Sequence, residues 1–213
     1  MANQKDILRA KQAAIIPIAA FTANGDVERL KGALSSGLDA GLTINEIKEV
    51  LIQMYAYAGF PRALTGLSTF MNVVEERKKA GKNDPEGPAP KRLPANADKY
   101  AIGEKIQTAL VGKPVSGPLY EFCPDIGVCL KEHLFCDIFA RNLLSEQDRE
   151  IATISCLAAL PTPAQLASHL RVCLNVGLTP GELRDFVKIL GEKVGRSQAE
   201  LAGNILNDVL SKK

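Results

Sequence analysis

Gly41-Leu42-Thr43-Ile44-Asn45-Glu46-Ile47 returns, shifted by 136 residues, as Gly177-Leu178-Thr179-Pro180-Gly181-Glu182-Leu183. Each stretch is a glycine turn followed by a T-x-x-E capping box, in which Thr and Glu satisfy each other's orphan backbone N–H groups at a helix start. Pro180 also occupies the favoured first helical position. Behind the second box Leu183, Phe186, Val187, Leu190 and Val194 recur at helical spacing, as Ile47, Val50, Leu51, Met54 and Ala58 do behind the first. Gly59 and Gly195 then stand where a helix C-cap favours positive φ.

Held without gaps, the same shift pairs Leu30 with Leu166, Leu34 with Leu170 and Leu38 with Leu174, so the repeat covers core positions as well as punctuation. In the second copy Thr162-Pro163-Ala164-Gln165 reads as another capping box, opening a helix whose inner stripe is Leu166, His169, Leu170, Cys173 and Leu174. An earlier helix starts near Ser145 with Ile151, Ile154 and Leu157 on one side, and Ser197-Gln198-Ala199-Glu200 caps a last one carrying Leu201, Ile205 and Val209. No segment alternates with period two, so the fold class is all-α, built from two tandem helical repeat units.

The expected organisation is an N-terminal unit at 1–80, a Pro-rich linker at 81–97 and a C-terminal unit at 98–213 that carries the candidate site. Helical signals resume near Asp98, and Pro124 opens a further helix towards Phe139. Residues 98–144 have no counterpart before the first copy. Each unit is too small and too apolar on its inner faces to stand alone, so the copies should pack together.

Composition narrows the function classes. The 26 basic and 24 acidic residues nearly cancel, giving no electrostatic footprint for nucleic acid or an anionic membrane. The N-terminus shows no apolar signal region and no run is long enough for a membrane span, so a cytoplasmic protein is expected. Five cysteines, odd in number and without a C-x-x-C pair, fit reduced thiols better than a disulfide framework or a zinc site, and no metal is expected.

Subtracting 136 singles out the chemistry. Glu150 corresponds to Ala14 and His169 to Ala33, and both polar residues lie on apolar helix faces. A buried carboxylate and imidazole cost free energy unless they pair, and a pair of that kind suits acid–base work. The competing reading is a satisfied core histidine with a purely structural partner. Arg141 and Arg149 have the shape to bind a carboxylate bidentately, Arg149 being equally well read as a surface ion-pair partner. Gln165 and Thr162 are explained by the cap, His133 by a solvated helix face, and Cys156 and Cys173 by small core positions. The scattered glycines of 32–41 follow no strand and support no nucleotide fold.

At Arg149-Glu150-Ile151-Ala152-Thr153, Gln165-Leu166-Ala167-Ser168-His169-Leu170 and Asn175-Val176-Gly177-Leu178-Thr179 the chain resembles the carboxymuconolactone decarboxylase family, whose superfamily includes the AhpD-like proteins. Leu134-Phe135-Cys136-Asp137-Ile138-Phe139-Ala140-Arg141 precedes these motifs in the same register. The resemblance implies an AhpD-like helical fold that assembles into rings, a doubled chain giving a homotrimer with pseudo-sixfold character. It also implies a small-molecule substrate and cofactor-free loss of CO₂ from a carboxylated lactone or related acid. His169 would deliver the proton, Glu150 would orient it, and Gln165 or Arg141 would hold a substrate carboxylate.

AhpD-like relatives use a glutamate, a C-x-x-C pair and a histidine as a redox relay. Here the cysteine positions fall on Thr162 and Gln165. Two other readings stay open: a thiol-dependent peroxidase or reductase using dispersed cysteines such as Cys136 or Cys156, and a non-catalytic binding or assembly protein.

Overall fold

The computed structural model describes residues 7–212, and among these there are eleven α-helices and no strand. The first four are α1 (Ala10–Asn24), α2 (Val27–Asp39), α3 (Ile44–Ala58) and α4 (Phe60–Lys79). After the linker come α5 (Lys99–Val111), α6 (Pro118–Phe122) and α7 (Pro124–Cys129), the last running on as a π-helical stretch, Leu130–Ile138. The last four are α8 (Glu146–Ala159), α9 (Pro163–Asn175), α10 (Pro180–Ile189), which ends in a π-turn at Leu190–Val194, and α11 (Arg196–Ser211). Moving α2 by 136 residues gives the bounds of α9, and moving α3 gives α10 with its π-turn.

Local chemistry explains these boundaries. Thr43 N donates to the Glu46 carboxylate at 2.7 Å while Thr43 Oγ1 accepts from Glu46 N at 3.2 Å. The second box repeats this at 2.8 and 3.1 Å between Thr179 and Glu182. A cap of this type stabilises its helix by about 1 kcal/mol. Before each box the chain reverses through Gly41 (φ 90°) and Gly177 (φ 95°), a conformation that a side chain would strain.

Three expected caps differ. Thr162 accepts no bond from α9, and its hydroxyl instead donates backwards to the carbonyl of Leu160 at 2.9 Å. α11 begins at Arg196 behind Gly195, so Ser197 already lies inside the helix. Gly59 has φ 85°, but Gly195 is extended at φ 171°. Here the π-turn decides the exit, because Gly195 N–H reaches Leu190, five residues back, whereas Gly59 N–H reaches Tyr55, four back.

α1 and α8 form the centre and pack against each other. From Ile15 to Ala23 and from Arg149 to Ala159 every residue is buried, as in a helix enclosed on all sides. The one-sided stripe expected on α8 is therefore corrected to burial on every face. One hydrophobic core runs through both halves, joining Ile16, Leu34 and Leu51 to Ile154, Leu166 and Phe186. Among the described residues no helix is long and apolar enough to cross a membrane.

Residues 81–97 contain no helix, yet the segment is tied down. The carbonyls of Pro85 and Glu86 accept the N–H groups of Ile44 and Asn45, satisfying the open end of α3. α5 and the π-helical stretch pack closely enough that a Cβ on Gly103 would collide with the Lys131 carbonyl oxygen. Beneath them Leu110, Leu134, Phe135, Ile138, Phe139 and Val172 form a second, smaller core.

Candidate active site

α8 carries Glu150 and α9 carries His169, and the packing of these helices brings His169 Nδ1 within 2.8 Å of Glu150 Oε2. The Glu150 side chain is 1% exposed and that of His169 18%, so the imidazole stands between the carboxylate and open space. An ionised carboxylate only accepts hydrogen bonds. With Glu150 ionised, the proton sits on Nδ1, and Nε2 is the nitrogen left to exchange protons with a bound molecule.

That molecule has room. A cavity of about 460 Å³ lies over the pair, with Gln165 and Ser168 of α9 beside His169. Leu110 and Val111 of α5 and Leu130, Leu134 and Phe135 of the π-helical stretch roof it. The segment without a counterpart in the first copy is thus what encloses the site. No lysine or arginine lines the cavity among the described residues.

The N-terminal half also contributes. Tyr57 of α3 lines the cavity and sets its ring edge-on to His169, with centroids 5.9 Å apart. Its hydroxyl is buried beside Thr153, although no group meets it in good hydrogen-bonding geometry. Burial, and then the charge of Glu150, push the phenol well above its ordinary pKa, so it stays protonated. The sequence reading named Met54 and Ala58 on this helix but not Tyr57. Its place between Met54 and Ala58, with Lys193 as its counterpart in the other copy, was the signal.

Gln165 is exposed at the cavity wall and makes no side-chain hydrogen bond among the described residues. Arg141 is elsewhere: its Nε and Nη2 engage the Glu49 carboxylate at 2.7–3.0 Å, and it is not among the cavity residues. Arg149 is corrected from a surface position to a core one. Its side chain is 1% exposed, with Nη2 3.2 Å from Glu49 and Nη1 3.1 Å from Gln53 Oε1. Burial lowers its pKa while the Glu49 charge opposes the shift. Nothing local announced this network, because Glu49 and Gln53 belong to the other half.

The thiols lie apart from the cavity lining. Burial pushes Cys136 up, Cys156 up to about 12 and Cys173 well above the ordinary thiol range. None of these three is poised as a thiolate. His133 sits on an exposed face, 3.2 Å from Asp137.

Comparison with known proteins supplies the family. Residues 1–70 and 130–202 match the family described as "Carboxymuconolactone decarboxylase family". A 4-carboxymuconolactone decarboxylase from Acinetobacter baylyi (strain ATCC 33305 / BD413 / ADP1) is 29% identical over 93 residues, which covers 42% of this chain and 69% of that protein. The matched regions take in both helical repeats together with Glu150 and His169, and the chain belongs to the carboxymuconolactone decarboxylase family.

Proposed function

We propose that the protein is a cofactor-independent lyase that removes CO₂ from a small carboxylated lactone or related acid, with the Glu150–His169 pair as its acid–base centre. The observation that carries this reading is the 2.8 Å contact between the two groups at the wall of a roofed cavity. The Acinetobacter baylyi relative, by its name, decarboxylates 4-carboxymuconolactone.

In the proposed step the bond between the ring carbon and the carboxylate breaks and CO₂ leaves. The electron pair moves into the conjugated lactone as an enolate. His169 Nε2–H then donates a proton to carbon, and the imidazole is reprotonated from solvent. Glu150 fixes the ring and stabilises the imidazolium. Among the described residues the wall offers the starting carboxylate no lysine or arginine to pair with, while the departing CO₂ is neutral. Gln165, with its amide free, holds the polar end of the substrate; Arg141, engaged by Glu49, is not assigned that role.

The test is direct. Purified protein is incubated with 4-carboxymuconolactone in deuterated water, and CO₂ release and deuterium at carbon are measured. The wild type should give both and His169→Gln neither. Equal turnover by the two proteins would remove the imidazole from the reaction.

The same reading includes a homotrimer in a reducing compartment. Phe60, Leu64 and Met71 of α4 and Leu119 and Phe122 of the α6 region are largely exposed, apolar surface suited to burial between subunits. The five cysteines are free thiols. Sedimentation should return three times the chain mass of 22.9 kDa.

A further inference from the structure

The 136-residue shift maps the candidate active site onto a second cavity. Between α1 and α2 lies a space of about 460 Å³, the same volume as the cavity over His169. Six wall positions correspond. Ala14 stands for Glu150, Ala33 for His169, Gly32 for Ser168 and Ser36 for Val172. The other two of these six exchanges change the charge: Arg29 stands for Gln165, and Lys193, reaching across from the C-terminal half, stands for Tyr57.

The acid–base pair is gone, so this cavity has no means of moving a proton. What it has instead is an apolar floor of alanines, Pro17 and Phe21, two cations and no carboxylate among its lining residues. Arg29 is held in place: Nε bonds Asp26 at 2.6 Å, Nη1 bonds the Val194 carbonyl at 2.8 Å, and the guanidinium lies 4.4 Å over the Phe21 ring. Lys193 makes no ion pair among the described residues and is exposed. No roof like α5 and the π-helical stretch covers this side, so entry is open.

We infer that this N-terminal cavity is a binding site, without catalysis, for a small apolar carboxylate whose ring rests on the alanine floor and whose charge meets Lys193, Arg29 beside it being already paired with Asp26. It is argued from its own walls and does not depend on what the His169 cavity does.

The probe is 4-bromobenzoate. The bromine is located by anomalous diffraction, which tells the two cavities apart, and affinity is measured by calorimetry in solution. Gly32→Leu is the blocking variant, because a Cβ at Gly32 meets nothing within 4 Å and the added side chain extends into the cavity. Lys193→Ala removes one cation from the surface and keeps the test valid if Gly32→Leu fails to fold. In the wild type, bromine should appear between α1 and α2. Gly32→Leu should lose that peak and its share of the heat, and Lys193→Ala should bind there about tenfold more weakly. Bromine in the His169 cavity alone, titrations identical in all three proteins, or the N-terminal cavity filled by a neighbouring chain would each overturn the inference.

Discussion

Glu49 and Arg149 lie 100 residues apart in the chain and 3.2 Å apart in the fold, both within the core. The pair ties α3 of one half to α8 of the other, next to Glu150. Gln53 extends the tie, donating to the Arg149 carbonyl at 2.8 Å and to Thr153 Oγ1 at 2.9 Å. Removing Glu49 leaves the Arg149 charge buried without a carboxylate, whereas removing Arg149 leaves Glu49 still paired with Arg141. Glu49→Ala should therefore cost about 3–5 kcal/mol, and Arg149→Ala less. The measurement is the midpoint of urea unfolding at unchanged slope. A loss below about 1 kcal/mol for Glu49→Ala would mean that water reaches the pair.

His169→Gln should abolish turnover while far-ultraviolet dichroism and assembly stay as in the wild type. Glu150→Gln keeps the shape and a hydrogen-bond acceptor but removes the charge that stabilises the imidazolium. Its kcat should fall by about 10²–10⁴-fold, with a smaller change in KM. A Glu150→Gln protein of full activity would reduce the carboxylate to a structural role.

Tyr57→Phe removes a buried hydroxyl that lies near Thr153 without meeting it in good hydrogen-bonding geometry. Stability should stay level or rise by about 1 kcal/mol, the cost of an unsatisfied group being relieved. Thermal unfolding of the two proteins under identical conditions decides it. A clear loss in the variant would show that the hydroxyl is satisfied in solution.

The protein should lose stability as pH rises past 9. Burial raises the folded-state pKa of Cys156 from 9.0 to about 12, and Tyr57 and Cys173 move in the same direction. The folded state then holds protons that the unfolded state releases. Their contribution is fully present below the unfolded values and declines between pH 9 and 12 for Cys156. Each group adds at most about 1.4 kcal/mol per pH unit to the slope. Denaturant titrations from pH 7 to 10.5 should show this fall, and Cys156→Ala should flatten it. A pH-independent midpoint would contradict the burial of these groups.

Arg77 anchors the linker to α4. Its guanidinium bonds Asp84 at 2.6 and 2.7 Å and Ser35 Oγ at 2.9 Å, with little of the side chain exposed. Arg77→Ala should cost about 2–3 kcal/mol. It should also expose the segment 85–97 to limited proteolysis, with cleavage mapped by mass. Unchanged cleavage kinetics would mean that the bonds from Pro85 and Glu86 to α3 hold the segment without Arg77.

Much of this protein was legible residue by residue. The paired boxes at Thr43 and Thr179, the turns at Gly41 and Gly177, and the α8 start at Ser145 are all local signals, settled by hydrogen bonds within four residues. The contrast between Glu150 and Ala14 drew attention to a pair that the fold brings into contact. Where local reading erred, a competing short-range bond or a wider turn won: Thr162 bonds backwards to Leu160, and Gly195 leaves a π-turn in extended conformation.

The chain's own pattern determined that there would be helices, where most of them begin, that they come in two related sets, and which set keeps a carboxylate and an imidazole. Packing alone decided that Arg149 would be buried, that Tyr57 would cross from the other half to touch His169, and that α5 with the π-helical stretch would close the cavity. The reason is range. A backbone hydrogen bond in a helix spans four residues and leaves its mark on adjacent side chains, whereas Glu49 finds Arg149 through the angle at which two distant helices meet, and periodicity carries no record of that angle.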